Sequence, residues 1–293
     1  MVLRKHIKKI LLYFCMLCVF MFILVPILWI LFMSFQYEED IIAPTFSLKP
    51  REMIIDNYKY IFTGVAPRQK GSMIRSRVVE SARYILPTVV NSLIIASCVA
   101  LINFGVGLSA AYTFLYKKFT GKEAIFVCVL LSRLLPPVAV VIPFFIIIKS
   151  LNLLDTKLSL ILIYSAMTLP LTVFFFRGYL SRIPSEVIDA AFVDGCSEPQ
   201  MMWRVLIPMA KGGVLAGTIL AFFLSYIEFL YALSLAQTYR SKTMPVLIAA
   251  ISSSRDISWS LLCADVILAI IPTIIIGFIV RKYLVGGIIP QLR

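Results

Sequence analysis

Histidine is nearly absent: His6 is the only one in 293 residues. A single imidazole leaves no His-rich metal cluster and no conventional internal Ser-His-Asp triad. No catalytic or metal site is therefore expected on this chain. Charge is scarce as well, at 15% of residues against about 25% in a typical soluble domain. With 60% hydrophobic residues and a mean hydropathy of +0.94, an ordinary soluble fold is excluded. A phosphate-binding loop is missing too. Gly121-Lys122 has Tyr116 where a P-loop needs its first glycine, and Glu123 follows in place of Ser or Thr. No basic stripe with interleaved aromatics occurs in a soluble segment, so the net charge of +13 does not point to nucleic acid. Internal repeats and low-complexity segments are also lacking. Cys15 and Cys18 have C-x-x-C spacing, but on a lipid-embedded stretch without a neighbouring histidine, and they read as small membrane-core residues.

What is abundant is long apolar sequence. A bilayer core takes about 20 apolar residues per helical span. Six runs meet that length, at residues 10–35, 85–115, 124–148, 158–180, 205–235 and 260–282. They predict an all-α integral membrane protein with six transmembrane helices, organised as one transmembrane domain over residues 1–293. The first run is about twice the 7–15-residue apolar core of a secretory signal, so it reads as a retained span.

Basic residues set the orientation. With six spans and a cytosolic amino terminus, both ends lie inside. The inner segments then hold Arg4, Lys5, Lys8, Lys9, Lys117, Lys118, Lys122, Arg177, Arg182, Arg204, Lys211, Arg281, Lys282 and Arg293. Only Glu123, Glu186, Asp189, Asp194 and Glu198 oppose them. Short-loop bias thus places residues 185–213 in the cytosol. The remaining positive excess outside is compatible with an acidic partner or substrate.

Taken in order, residues 37–83 read as an external loop with Pro44, Pro50, Pro67 and the charged run RQKGSMIRSR at 68–77. Within it, Asp56 to Phe62 reads as a short surface helix. The loop either touches a substrate-delivering protein or is simply solvated. The second span carries Asn103, Gly105, Gly107, Ser109, Ala110 and Ala111, small residues that allow close helix approach. In the third, Pro136, Pro137 and Pro143 interrupt the hydrogen-bond ladder, which is tolerated where a helix faces protein or a cavity. Arg133 lies inside the same apolar window. A guanidinium there costs several kcal/mol unless paired or hydrated, which makes Arg133 a substrate-path candidate. Snorkelling, or a structural pair with Glu228 or Asp265, is the alternative. Tyr226 and Glu228 in the fifth span are further substrate-path candidates, and Asp265 and Pro272 mark the last span as one facing protein.

Between the fourth and fifth spans, residues 185–213 break the apolar pattern. Pro184, Ser185 and Glu186 supply a helix start: a ring suited to the first turn, a capping hydroxyl, and a carboxylate near the positive end of the dipole. Val187, Ile188, Ala191 and Phe192 make one side apolar, while Glu186, Asp189 and Asp194 carry charge. Gly195 provides the permissive backbone that ends the helix. A second short segment, Ser197 to Trp203, follows. The pattern predicts a helix-turn-helix outside the bilayer, shaped either to seat in a partner's groove or to lie solvated.

The order D-A-A-x-x-D-G at 189–195, with Ile183-Pro184 before it and Pro208 thirteen residues beyond Gly195, resembles the EAA motif of permease subunits in bacterial ATP-driven importers. Asp189 stands where that family usually has Glu, Cys196 replaces a common Ala, and a later Pro near Gly213 is absent. P-P-x-x-x-x-I-P at 136–143 and the turn Asn152 to Lys157 fit the same family. Ser225 to Leu233 is similar to the pattern W-N-E-F-x-x-A-L, with Tyr226 and Ile227 in place of Trp and Asn. The resemblance covers nearly the whole chain, is tightest over 133–235, and points to the maltose-importer-like, sugar-type class.

That resemblance implies the type I importer permease fold, with a cytosolic coupling helix between helices 4 and 5. It implies residence in the bacterial cytoplasmic (inner) membrane, a heterodimer with a second permease, two copies of an ATPase inside and an external solute-binding protein. Coupling roles fall on Glu186, Asp189, Ala190, Ala191, Asp194 and Gly195. No cofactor is expected on this chain, since ATP and Mg belong to the partner ATPase. The implied cargo is an oligosaccharide, and an acidic one if Arg133 and the basic outer surface take part. Two other readings stay open: a permease of the same architecture for another solute, and a proton-coupled secondary transporter using Glu228 or Asp265.

Overall fold

A computed structural model describes residues 2–42, 53–64, 81–254 and 257–288. The charged run at 68–77 lies outside the described residues. Among the described residues all regular structure is helical, in the order α1 (Val2–Met33), α2 (Glu38–Ile42), α3 (Asp56–Thr63), α4 (Ile85–Tyr116), α5 (Lys122–Leu131), α6 (Pro137–Ser150) and α7 (Lys157–Leu180). Then come α8 (Ser185–Val193), α9 (Glu198–Met201), α10 (Ile207–Met209), α11 (Lys211–Tyr226), α12 (Leu230–Leu235), α13 (Met244–Ser252) and α14 (Trp259–Ile288). Four helices are long and apolar enough to cross a membrane unbroken: His6–Met33, Ile85–Tyr116, Lys157–Leu180 and Trp259–Ile279. The runs expected at 10–35, 85–115, 158–180 and 260–282 correspond to them. The third and fifth runs differ, because each is a bent pair.

The third run turns through 100° between Lys122–Leu134 and Pro137–Ser150. Its cause is local. A residue before proline is pushed out of the helical region, and Leu135 and Pro136 are both extended, with ψ of 125° and 129°. Pro143, by contrast, sits inside α6. The fifth run turns through 91° at Ala210, between Glu198–Met209 and Lys211–Tyr226. It breaks again at residues 227–229 before α12, so the stretch 205–235 is not one continuous helix.

Two compact units result, Met1–Leu86 with Ile248–Ile271 and Pro87–Leu247 with Pro272–Arg293. In the first, α1 exposes apolar side chains along its length, as a lipid-facing helix does. Where α1 ends, Asn57 Nδ2 donates to the Ser34 carbonyl at 3.0 Å and the Ser34 and Tyr58 hydroxyls meet at 2.8 Å. The expected helix at Asp56 is present, but Asn57, Tyr60 and Ile61 are buried, so it is packed on one side. Glu38 caps α14: its carboxylate accepts from the Trp259 and Ser260 backbone N–H groups at 2.8 and 2.9 Å.

In the second unit, α4 and α7 are clasped by Asn103, whose amide donates to the Thr168 hydroxyl within a buried polar spot. The helices α7 and α11 come closer still. A Cβ on Gly213 would lie 2.0 Å from the Tyr179 ring, and one on Gly217 would lie 2.6 Å from Phe176. With no hydrophobic drive between helices in lipid, such contact depends on van der Waals packing that only glycine permits here. An apolar cluster containing Phe126, Phe176, Leu180, Met201 and Leu206 continues from these spans down to α8.

Candidate functional site

The segment following α7 is built by its caps. Pro184 is the residue that starts α8, extended at ψ 142°, and Ser185 is the first helical residue, so the expected Ser185 hydroxyl cap is replaced by proline stereochemistry. At the other end Gly195 has φ +82°, a conformation that suits glycine. Cys196 N–H donates to the Ala191 carbonyl and Gly195 N–H to the Phe192 carbonyl, both at 3.0 Å. This pair of bonds is a Schellman closure. Two residues on, Ser197 and Gln200 form a reciprocal capping box that starts α9. A π-helical turn, Met202–Leu206, then leads to the 91° bend.

Ile188 and Ala191 are buried in the apolar cluster. The opposite side of α8 presents Glu186, Asp189, Ala190 and Val193, at i, i+3, i+4 and i+7, as one exposed stripe. Asp194 and Gly195 extend it. Phe192, expected on the buried side, is 40% exposed, and Val193 reaches 87%. Trp203 is exposed as well. Val193 is the exposed residue of this stripe that the sequence reading did not single out. Its register seven positions after Glu186 was the available signal. Ala191, grouped with the coupling residues by motif, is buried and anchors the helix.

One ion pair ties this segment to the turn between α4 and α5, and a second ties the end of α7 to the start of α5. Lys117 pairs with Glu198, whose carboxylate raises the lysine pKa through a direct hydrogen bond. Arg177 reaches Glu123 at 2.7 and 3.0 Å and lies 4.1 Å from the centre of the Phe126 ring. The Tyr116 hydroxyl donates to the Leu180 carbonyl at 3.0 Å.

The substrate-path candidates fall at the breaks. Arg133 sits in the 3₁₀ turn Ser132–Leu134 at the bend of the third span, exposed and without an ion pair among the described residues. Glu228 sits at the second break of the fifth, where its carboxylate accepts from Tyr231 N–H at 3.0 Å and Ala232 N–H at 3.3 Å. It therefore caps α12, and the proposed pair with Arg133 is not formed. Tyr226 is buried, its ring stacked on Phe222 with centroids 5.8 Å apart. Asp265 is fully buried, and neither carboxylate oxygen has a hydrogen-bond partner among the described residues.

Residues 103–289 match the family described as binding-protein-dependent transport system inner membrane component. The chain belongs to that family. It is similar to the trehalose/maltose transport system permease protein of Thermococcus litoralis, 30% identical over 68% of this chain and 72% of that one. The diacetylchitobiose uptake system permease protein of Streptomyces coelicolor is 26% identical over 91% and 82% of the two chains. A solved bacterial ABC transporter, involved in import of the acidic polysaccharide alginate, shares the fold at a TM-score of 0.74 and 19% identity, covering 95% of this chain and 96% of that one. As a family member this inner membrane component is a multi-pass transport protein of the type I permease fold, similar to sugar-type permeases. Membership implies an ATPase and a solute-binding protein as its partners.

Proposed function

We propose that this chain is one permease subunit of an ATP-driven importer for an oligosaccharide, paired with a second permease and two ATPase copies. The observation that carries the reading is the exposed stripe Glu186, Asp189, Ala190 and Val193 on a doubly capped helix set between two spans. Exposed acids beside exposed Val193 and Trp203 suit a partner's groove better than bare solvent. ATP and Mg belong to the partner, and this chain carries no cofactor. Both termini are cytosolic, and residues 1–293 act as one transmembrane domain. Closure of the ATPases on ATP carries α8 with them, and the packed junction of α7 with α11 transmits that motion to the spans as a rigid-body change between two states. The named cargoes of the Thermococcus and Streptomyces relatives support a saccharide substrate. Arg133 and Glu228, at the two helix breaks, line its path in this reading. Tyr226 supports that path from the packed interior.

An open groove of about 880 Å³ along α4, lined by Gly105, Ser109, Ala110 and Thr113 among others, supports a second permease as neighbour. Co-purification in mild detergent tests the reading. The ATPase should accompany the wild type and be lost with Gly195→Pro, because proline cannot adopt φ +82° and removes a donor of the Schellman closure. An ATPase retained by the variant, with normal uptake, overturns the coupling assignment. A proton-coupled transporter is the second reading, favoured by the unpartnered carboxylate of Asp265. ATP-driven uptake should survive Asp265→Asn, whereas a proton relay would lose it.

A further inference from the structure

The helix α5 is held in a way that the coupling reading does not use. Phe126 is its one buried residue among the described residues, while Ile125, Val127 and Leu131 are exposed. A ten-residue helix with a single buried side chain has little apolar anchorage of its own. That anchor lies in the apolar cluster that also takes Ile188 and Ala191 of α8. Its ring meets Phe114 of α4 edge-on, with centroids 5.4 Å apart. Arg177, in the last turn of α7, closes the grip: its guanidinium lies 4.1 Å from the centre of the Phe126 ring. One guanidinium nitrogen also reaches both oxygens of Glu123, in the first turn of α5. Beside this pair, Tyr116 bonds the Leu180 carbonyl and Lys117 pairs with Glu198 at the start of α9. The first turn of α5, the last turn of α7 and the segment α8–α9 are therefore one connected patch.

The far end of α5 is built to bend. A 3₁₀ turn, Ser132–Leu134, gives way to the extended residues Leu135 and Pro136. Pro136 and Pro137 have no N–H to donate, so the helical ladder does not run from α5 into α6. The two halves of the span stand at 100° to each other. Hinges are made of a few such element-terminal residues, which absorb a change of φ and ψ. Arg133 lies in that turn. The helix is thus a stiff arm of about 15 Å, at 1.5 Å per residue. Arg177 grips one end, and the other end carries Arg133 on a hinge.

We propose that α5 is a lever worked by the coupling segment, with Arg177 as the positioning residue that grips it. The proposal rests on the importer reading above, which makes α8 the part that moves with the ATPases. Motion of α8 reaches Phe126 through the shared cluster and Glu123 through Arg177. The first turn of α5 follows, and the bend at 132–136 changes its angle. Arg133 is re-aimed by that change, so the path at the third span follows the state of the ATPases. The packed glycines of α11 serve the fifth span, and the lever serves the third. An exposed ion pair contributes little to stability, so this grip orients α5 rather than holding the bundle together. Contact alone does not establish coupling, which a mutant cycle on the pair measures directly.

The test uses the complete importer in lipid discs, with the native cysteines replaced and Arg133→Cys as reporter. A water-soluble maleimide labels the reporter without nucleotide and after trapping with ATP and vanadate. With the grip intact, the two labelling rates should differ by at least about fivefold. Arg177→Glu should bring the ratio to about one, and so should Glu123→Arg, a change at an exposed position that leaves α7 untouched. The swap Arg177→Glu/Glu123→Arg restores opposite charges and should recover most of the ratio. A merely structural pair would shift the thermal midpoint of each variant and leave the ratio alone. Co-purified ATPase and vanadate-trapped nucleotide report assembly and closure. A ratio near one with the grip intact and nucleotide trapped overturns the lever. So does a ratio that survives both single changes, or one that the swap does not recover. Failure of the importer reading looks different: no ATPase accompanies the chain even with the grip intact.

Discussion

The two ends of α7 are held by different physics. At its carboxyl end, α8 is shaped by backbone caps, Pro184 at the start and Gly195 at the stop, and it leaves apolar Val193 and Trp203 uncovered. At its amino end, the 235–244 loop is shaped by side chains, chiefly Asp155 and Asn91. A cap-built segment keeps its form as one body while its apolar face is buried by something else. A carboxylate-built loop keeps its form only while its charge and donors stay in place. The contrast separates a segment set by backbone stereochemistry from a loop set by side-chain charge and hydrogen bonds.

Breaking both ends at once is the harshest test, and the junction they share is the place to do it. Gly213→Val should prevent normal assembly, because a Cβ 2.0 Å from the Tyr179 ring demands movement of a packed aromatic. Overpacking of this kind costs about 1–3 kcal/mol or more. Loss of the monodisperse peak in detergent gel filtration is the expected result, and a normal peak would mean the α7–α11 contact is not tight. Gly195→Ala breaks the carboxyl end alone. It keeps the N–H donor but forces a side chain into φ +82°, a strain of about 1 kcal/mol. ATPase affinity should fall several-fold with insertion intact, as measured by titrating the ATPase onto the purified permease.

The amino end of α7 answers to acid. Burial opposes ionisation of Asp155, yet its hydrogen bonds from Ser241, Thr238 and Gln237 prevail and lower the pKa below the ordinary 3.8. A depressed carboxylate contributes stability above its unfolded pKa and loses it as pH falls through the folded value. Protection of the 236–242 amides in hydrogen exchange should therefore hold through pH 5 and decay only below about 4. The carboxyl end of α7 has no such carboxylate hub and should show no matching change there. Smallest of all is Lys117→Ala, which removes a half-exposed pair with Glu198. Surface pairs of this kind contribute about 0.2–1 kcal/mol, so a thermal shift of a few degrees at most is expected.

Apolar run length made the four unbroken spans legible and placed the two bent pairs, because the bilayer imposes a length that sequence must meet. It could not reveal the two bends. Pro136-Pro137 marked an interruption, but whether proline kinks a span or ends it depends on what receives the freed carbonyls. The helix-turn-helix after α7 was legible down to its glycine stop, since φ at Gly195 is a local property. Phe192 was misplaced because helical spacing ranks faces by polarity, whereas the bundle buries the side that meets Phe126 and Met201. Glu228 reads in sequence as an intramembrane charge. Only the break at 227–229 turns it into a cap for α12.

By itself, then, the sequence determined the solvent, the apolar runs long enough to cross it and the motif that identifies the family, because each is a matter of composition and local spacing. Tertiary structure alone decided that Gly213 and Gly217 join α7 to α11, that Asp155 is the hub of a loop more than eighty residues away in sequence, and that Tyr226 is packing rather than surface. Those outcomes depend on which helices meet and at what height. Neighbouring residues cannot encode that meeting, since in lipid one apolar face is as good as another until shape decides between them.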